Sequence, residues 1–598
     1  MAPRREETGA RPAVVDEVRV DTHPEAATDE PRPPAGRARP ERWRTALLRP
    51  VAHFPCWVAL AFAWASVFPS LMPRSGLVQG VITAVAVTLG LAVGSLVAWV
   101  ATMVWRLAGR PVPAVLPYGR QIFAGIAGVI TVAGLGAWVT WQNDQREVLG
   151  MEPMSQVQLV PFVLVAVGVG LVLFVIGRSV AWLIRRIDRR ITRYVPRPLA
   201  VAATVVIVVV VSVVVTRDVV ATELLDRLNA SFGTFDDETP PGVVAPTAPE
   251  RSGSPASLVP WDTLGYEGRS FAAGGPTLEQ LQDFAGPDAE AMEPIRVYAG
   301  LKSADGPEAQ AALAVEELDR TGAWDRSVLA VVTVTGTGWI DPVSSSSLEL
   351  LRAGDTAIVG TQYSYLPSWI SFLVDLDKAA ENARALAAAV TERWAELPED
   401  DRPRLVFFGL SLGSYGSEEV FDRGSLDGSL AAATELPDAV LWAGPTFANP
   451  IWRDVVQARP AGTPSWAPEV DGVTLRGTPG EDAIAGALPG NPVVYLTHAT
   501  DPVTWVNVDS LWSRPDWMAD PVGPGVSGPF LWVPGVTLVQ EVFDLMAGFS
   551  APPGYGHNYD PNMPDAWVAV AAPDDWTAGR TLALRDAVAA LGDDTPVG

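Results

Sequence analysis

The chain has 598 residues, 43 of them basic and 68 acidic, and its formal net charge at neutral pH is -25. Hydrophobic residues nevertheless make up 48% of the sequence, which excludes a wholly disordered acidic protein. The excess of acid argues against a nucleic-acid partner, because phosphate binding needs a basic surface. We expect no metal and no cofactor, since Cys56 is the single cysteine and the four histidines show no metal-ligand spacing.

Five long apolar runs follow residues 1–45, a Pro- and Arg-rich stretch that we predict to be a disordered cytoplasmic tail. Each run is long enough to cross the hydrocarbon core of a membrane, which needs about 20 residues. We therefore predict a transmembrane helical domain of about five helices over residues 46–218. The runs are 54–72, 77–105, 121–141, 158–184 and 198–216, and Pro69 interrupts the first of them.

Arginines collect on alternate sides of these runs. They are dense before the first run and between the fourth and fifth, whereas the connections 73–76 and 142–157 carry one Arg each. Positive charge tends to stay in the cytoplasm, so this pattern predicts a cytoplasmic N-terminus in the plasma membrane. An odd number of crossings then places everything after about residue 218 outside the cytoplasm.

The remainder of the chain divides into a linker and a globular domain. Residues 219–260 are the predicted linker, in which the Pro-, Ser- and Gly-rich stretch 230–260 is typical of a semi-extended spacer. Over 261–598, short apolar runs alternate with helical patterns such as 307–320 and 375–396, which indicates a mostly parallel sheet covered by helices on both faces. The predicted strands are 295–301, 327–339, 356–364, 404–410, 438–444 and 492–499.

The stretch GLSLG at 409–413 lies between a predicted strand and a helical pattern at 414–423. It matches the G-x-S-x-G nucleophile elbow, at which a strand turns sharply into a helix. Gly409 and Gly413 would keep the turn free of side-chain clashes and leave Ser411 exposed. The sequence therefore predicts Ser411 as a nucleophile, and an ordinary turn serine is the alternative.

A serine hydroxyl is a weak nucleophile and needs a base. After a nucleophile elbow, the acid and then the base follow along the chain. Asp501 comes just after the last predicted strand, and His557 lies in the Gly-rich stretch PPGYGHNYD, so we predict a Ser411–Asp501–His557 triad. Two alternatives remain. Asp501 could merely cap a turn, in which case Asp509, Asp516 or Asp520 would be the acid, and His498 could be the base in place of His557.

A tetrahedral intermediate also needs backbone N–H donors for its oxyanion. One usually belongs to the residue after the nucleophile, which is Leu412. The second is expected from the stretch TGTGW at 335–339, where Thr337 or Gly338 would supply it, and a simple turn is the alternative.

Two long segments, 446–490 and 511–556, interrupt the alternation of strands and helices and are rich in Trp, Pro and Gly. Insertions at the carboxyl edge of such a sheet often cover the active site, so we predict caps there. The alternative is that their aromatic side chains pack on the core. The tryptophans expected beside the site are Trp452, Trp466, Trp512, Trp517 and Trp532.

Four of these motifs, TGTGW, GLSLGSYGSE, THATDPV and GYGHNY, resemble those of the bacterial membrane-anchored α/β-hydrolase family. The resemblance extends over about residues 45–598 and implies a multi-pass N-terminal domain joined to a C-terminal hydrolase domain. The elbow departs from many esterases, because Leu410 stands where they carry His, Asp or Glu before the serine. The resemblance therefore leaves the substrate class open.

Three functions fit these features. The first is a serine hydrolase of the esterase or lipase type, acting on a lipid- or envelope-linked ester beside the membrane. The second is an acyltransferase that passes the same acyl group to an envelope sugar or lipid. The third is a membrane scaffold or transporter with a vestigial hydrolase domain, against which the complete triad order speaks.

Overall fold

The structure is a computed structural model that describes residues 53–109, 118–191 and 222–593. The predicted tail and the fifth apolar run, 198–216, lie outside these residues. Among the described residues, three helices are long and apolar enough to cross a membrane, spanning Gly76–Trp105, Gln121–Val148 and Gln156–Arg186. The N-terminal helices are α1 (His53–Ser66), α2 (Gly76–Leu107), α3 (Gly119–Val148) and α4 (Leu159–Ile191).

The first apolar run does not form the single helix predicted over 54–72. Helix α1 ends at Ser66, and residues 67–75, which we call the junction segment, are non-helical and largely buried. Pro69 and Pro73 account for the break, because proline lacks an N–H and disfavours helical conformation in the residue before it. At 14 residues, α1 is shorter than a membrane-spanning helix usually is.

Part of the predicted linker packs against the domain, whereas many of its other described residues are exposed. Helix α5 (Thr222–Asp236) begins it, and Arg251 and Ser252 are buried further along. The Arg296 N–H donates to Glu250 O (3.2 Å), and the Ser252 N–H donates to Arg296 O (3.0 Å). This segment therefore extends the backbone hydrogen bonding beyond the edge strand that contains Arg296.

Seven parallel strands form one sheet in the order β1-β3-β2-β4-β5-β7-β6, which confirms the predicted parallel sheet. Strand β2 pairs with β3 and β4 on its two sides. Its residues Val328 and Leu329 belong to different hydrophobic clusters, one on each face of the sheet. Burial on both faces explains the continuous apolar runs in the sequence. The strands are β1 (Ile295–Ala299), β2 (Val328–Thr333), β3 (Thr356–Thr361), β4 (Arg404–Leu410), β5 (Ala439–Ala443), β6 (Val473–Arg476) and β7 (Val493–Leu496).

Helices cover both faces of the sheet and carry the connections between parallel strands. The helical patterns at 307–320 and 375–396 correspond to α8 and α11 within one residue at each end. The helices after α5 are α6 (Gly265–Ala273), α7 (Leu278–Ala285), α8 (Pro307–Thr321), α9 (Pro342–Leu351), α10 (Ser368–Val374), α11 (Leu376–Ala395), α12 (Leu412–Phe421), α13 (Leu426–Glu435), α14 (Pro450–Ala458), α15 (Pro502–Trp505), α16 (Val536–Gly548), α17 (Met563–Ala571) and α18 (Ala578–Asp593).

The segments predicted as caps take other positions. Part of 446–490 forms helix α14 and the edge strand β6, which pairs with β7. Part of 511–556 packs against residues 67–75, and the segment contributes α16. Trp452 and Trp517 are buried, so these side chains pack inside the protein, as the alternative interpretation held.

Candidate active site

Ser411 stands at the sharp turn between strand β4 and helix α12. Its backbone has φ 57° and ψ -123°. This conformation is energetically unfavourable for any residue that carries a side chain. A Cβ atom on Gly409 would lie 2.3 Å from the carbonyl oxygen of Gly413, and one on Gly413 would lie 2.2 Å from that of Thr333. Only glycine fits at both positions, so the close approach of strand and helix explains the motif.

Asp501 lies at the carboxyl end of the neighbouring part of the sheet, five residues after β7. It caps helix α15, and its Oδ1 accepts a hydrogen bond from the Val503 N–H at 2.9 Å. Its Oδ2 lies 2.7 Å from His557 Nδ1, and the side chain is fully buried. The structure thus brings together the acid and the histidine that the sequence predicted.

His557 lines the same cavity as Ser411. Its side chain is only 5% exposed, and Nε2 is buried with no hydrogen-bond partner among the described residues. The ring also makes an edge contact with Phe549, at 5.0 Å between centroids. A histidine fixed by a carboxylate through Nδ1 and open at Nε2 has the orientation that a general base needs. In unliganded sites the contact from base to nucleophile is often long and shortens when substrate binds.

The alternative residues take supporting or remote positions. His498 Nδ1 lies 2.9 Å from the Gly556 carbonyl oxygen, its ring stacks on Tyr559, and burial lowers its pKa. It therefore supports the loop that holds His557. Among the described residues that line the cavity there is no Asp509, Asp516 or Asp520.

Two family models match this chain. A model described as an α/β-hydrolase family matches residues 295–584, and one described as the N-terminus of an α/β-hydrolase family matches residues 67–276. The chain belongs to this α/β-hydrolase family. Searches of curated proteins and of solved structures found no match. The boundary of the N-terminal match at 67 coincides with the start of the junction segment.

The geometry distinguishes between the two candidates for the second oxyanion donor of this hydrolase. The Gly338 N–H already donates to the Thr335 carbonyl at 2.7 Å, and Gly338 O accepts from the Tyr298 hydroxyl at 2.7 Å. Thr337 lines the cavity, and its N–H has no hydrogen-bond partner among the described residues. Leu412 is the first residue of α12, where an N–H has no partner within the helix. Of the predicted donors, Thr337 and Leu412 are therefore favoured over Gly338, whose N–H is already bonded.

Tyr559 is a member of the site that the sequence analysis missed. Its hydroxyl donates to Asp501 Oδ2 at 2.7 Å, and burial raises its pKa well above the ordinary value. The residue occurs in the stretch GYGHNY, two positions after His557. Its position beside the histidine was a signal, but sequence alone did not indicate that the hydroxyl would turn toward Asp501.

The cavity has a volume of about 940 Å³ and an acidic lining. Glu267, Asp341 and Asp560 line it, whereas no Lys or Arg does among the described residues. Burial raises the pKa of Glu267 and of Asp341 to about 7, and it also raises the pKa of Asp560. Such a lining disfavours an anion and suits a neutral or positively charged group.

The described residues contain no group of three or more His, Cys, Asp or Glu side chains that could hold a metal ion. The predicted cap tryptophans are also missing from the described lining of the cavity. The single aromatic side chain that 511–556 contributes there is Phe549, at the end of α16. Other aromatic contacts with a substrate would come from Trp339 and Tyr559.

Proposed function

We propose that this α/β-hydrolase is a membrane-anchored serine hydrolase that cleaves an ester through an acyl-enzyme. The observation that carries the proposal is the 2.7 Å contact between Asp501 and His557 at a cavity shared with the strained Ser411. Ser411 Oγ attacks the ester carbonyl while His557 Nε2 takes its proton. The N–H groups of Leu412 and Thr337 stabilise the oxyanion.

Collapse of this intermediate breaks the ester bond, and the proton on His557 passes to the leaving alcohol. A water molecule then attacks the acyl-enzyme with His557 as the base, which releases the acid and restores Ser411. Asp501 holds the imidazole in the tautomer that keeps Nε2 free to accept the proton. The fold, the strained nucleophile and the buried acid–base contact support each of these roles.

The acidic lining favours an ester with a neutral or positively charged body. Lipid or envelope esters of this kind fit a site tethered near a membrane, and three long apolar helices support the membrane anchor. The cap tryptophans, which suggested a cleft for long acyl chains, give no support to that preference because they do not contribute to the cavity.

The test is covalent labelling of the full chain in isolated membranes with a fluorophosphonate probe. We expect rapid labelling of the wild type, none of Ser411→Ala, and wild-type labelling of Ser425→Ala, in which an exposed helix-capping serine is removed. Equal labelling of the wild type and Ser411→Ala would contradict the proposal and favour a vestigial hydrolase domain. Products released from p-nitrophenyl esters in water and in water with added sugar alcohols separate hydrolysis from acyl transfer.

We also propose that the catalytic domain lies outside the cytoplasm at the plasma membrane. The Arg-rich connection after the fourth apolar run supports this orientation. In a Cys56→Ser background, Val244→Cys should react with an impermeant thiol reagent in intact cells, since Val244 is exposed, whereas Arg186→Cys should resist it. The opposite pattern would place the site in the cytoplasm.

A further inference from the structure

The junction segment is held by polar side chains from both parts of the chain. Its backbone is not helical and is largely buried, so its carbonyl groups need hydrogen-bond donors from elsewhere. The Gln145 amide of α3 donates to Ser70 O at 2.6 Å, and the Gln540 amide of α16 donates to Phe68 O at 2.9 Å. The segment therefore joins the N-terminal helices to a helix of the catalytic domain.

Asp544 of α16 makes the second polar connection. Its Oδ1 accepts from the Ser70 hydroxyl at 2.8 Å, and its Oδ2 accepts from the Leu71 N–H at 3.1 Å. Asp544 is fully buried, and burial raises its pKa to about 6. A buried carboxylate with two specific donors fixes the helix relative to the segment, because moving either would leave polar groups unpaired.

Apolar contacts support the same connection. Val536, the first residue of α16, is buried in a cluster with Ala65 of α1 and Ala86 of α2. Leu71 and Met72 of the junction segment are buried in a second cluster with aromatic and aliphatic residues from the segment 511–556. Helix α16 is thus packed against the N-terminal helices at its first turn and is bonded further along to the junction segment between α1 and α2.

The other end of α16 contacts the proposed base and the residue that follows the proposed acid. The Gly548 carbonyl accepts a hydrogen bond from the His557 N–H at 3.0 Å, and a Cβ on Gly548 would lie 2.7 Å from Pro502, the residue after Asp501. Phe549, the next residue, packs edge-on against the His557 ring. Asp544 and Gly548 are four residues apart, about 6 Å along the helix axis.

We propose that the junction segment positions the catalytic base through α16, so that the N-terminal helical region is a working part of the active site as well as an anchor. The inference rests on the proposed role of His557. Ser70 and Asp544 are positioning residues: they touch no substrate, but their bond fixes the helix turn that carries Gly548 and Phe549. A small displacement there moves Nε2 away from Ser411, and misplacement by about 1 Å can cost 100-fold in rate.

The experiment compares Ser70→Ala, Asp544→Asn and the double variant in the full chain. The measurement is hydrolysis of p-nitrophenyl acetate per site titrated with fluorophosphonate, which counts only folded enzyme. We expect each single variant to lower kcat about 10- to 100-fold with KM changed less than about threefold, because geometry and not binding is disturbed. The double variant should have a kcat little lower than that of the more severe single variant, because both substitutions break the same bond between Ser70 and Asp544.

A matched control exists elsewhere in the domain. Glu317 of α8 is also buried and accepts from a serine hydroxyl, Ser257 (2.6 Å), and from the next backbone N–H, that of Leu258 (2.9 Å). Ser257→Ala removes the equivalent of the Ser70 bond, and Glu317→Gln also disturbs an ion pair with Arg320, both in a region that does not line the cavity. They should lower thermal stability while leaving kcat per titrated site at the wild-type value.

The outcomes separate the two proposals. If wild-type Ser411 is labelled but Ser70→Ala and Asp544→Asn behave like the Glu317 controls, the positioning role is refuted and the hydrolase proposal stands. Absence of wild-type labelling would refute the hydrolase proposal itself. Ser70→Ala keeps the hydrogen bond from the Leu71 N–H to Asp544. If Asp544→Asn yields no folded protein, the kcat of Ser70→Ala therefore tests the positioning role by itself.

Discussion

The hydroxyl of Tyr559 lies 2.7 Å from Oδ2 of Asp501, the same oxygen that faces Nδ1 of His557. One carboxylate oxygen therefore accepts from two donors, while the other is occupied by a backbone N–H. This arrangement satisfies the hydrogen-bonding capacity of a fully buried carboxyl group and leaves Asp501 a single orientation toward the imidazole. The proposed acid is thus held by a side chain as well as by its helix cap.

Tyr559→Phe tests that arrangement. Loss of one hydrogen bond to a buried carboxylate should lower kcat about tenfold, because Asp501 then orients His557 less firmly. Tyr495→Phe is the matched control, since its hydroxyl also donates to a buried carboxylate, Glu418, at 2.7 Å. Steady-state kinetics on a p-nitrophenyl ester supply the comparison, and equal rates for Tyr559→Phe and the wild type would remove Tyr559 from the site.

Substitutions of the two histidines should have different effects on kcat. His557→Ala removes the proposed base and should lower kcat by about 10⁴-fold or more. His498→Ala removes a buried ring that stacks on Tyr559, so we expect a lower melting temperature and a much smaller loss of kcat per titrated site. A severe catalytic loss in His498→Ala with a mild one in His557→Ala would reverse the assignment.

The strain at Ser411 predicts an order of stability. Its φ of 57° is accessible to glycine at little cost, whereas any side chain there is unfavourable. Ser411→Gly should therefore be more stable than Ser411→Ala by about 1 to 3 kcal/mol, although both lack the nucleophile. Melting temperatures of the two inactive variants decide the point, and a more stable Ser411→Ala would argue against stored strain.

Glu267 should make stability depend on pH. Its pKa is raised by burial to about 7 in the folded protein, against 4.5 in the unfolded chain, so the folded state binds the extra proton between these values. The contribution of Glu267 to the free energy of unfolding is therefore most favourable below pH 4.5. It falls as the pH rises through 7, by about 3 kcal/mol in all. Glu267→Gln should raise the melting temperature at pH 8 and have little effect at pH 4.5. A benefit independent of pH would contradict this origin.

The acidic cavity predicts discrimination by substrate charge. A neutral p-nitrophenyl butyrate should be hydrolysed with at least about tenfold higher kcat/KM than the mono-anionic p-nitrophenyl succinate, because an anion meets carboxyls and no cation in the described lining. The ratio should widen above pH 7 as Glu267 and Asp341 ionise. Glu267→Gln should narrow it. A preference for the succinate ester would refute this view of the cavity.

The catalytic domain could be predicted closely wherever the signal is local. Strand β4 begins and ends where its apolar run does, and the GLSLG motif identifies the turn at Ser411. A parallel sheet buried on both faces needs continuous apolar strands, and a sharp strand-to-helix turn needs glycine. Both features can therefore be recognised in short stretches of sequence. The order of Ser411, Asp501 and His557 along the chain predicted a triad, and the structure brings Asp501 and His557 into contact at a cavity that Ser411 also lines.

Other features depend on contacts between residues far apart in the chain, and only the tertiary structure decided them. Strand β6 is a half-buried edge strand of four residues, and the alternation of apolar and polar residues in VTLR is too short to distinguish it from a loop. The Tyr559 hydroxyl and the bond between Ser70 and Asp544, 474 residues apart, likewise have no local signature. Sequence patterns indicate which residues of each segment are buried. Which buried polar groups become partners is determined by packing.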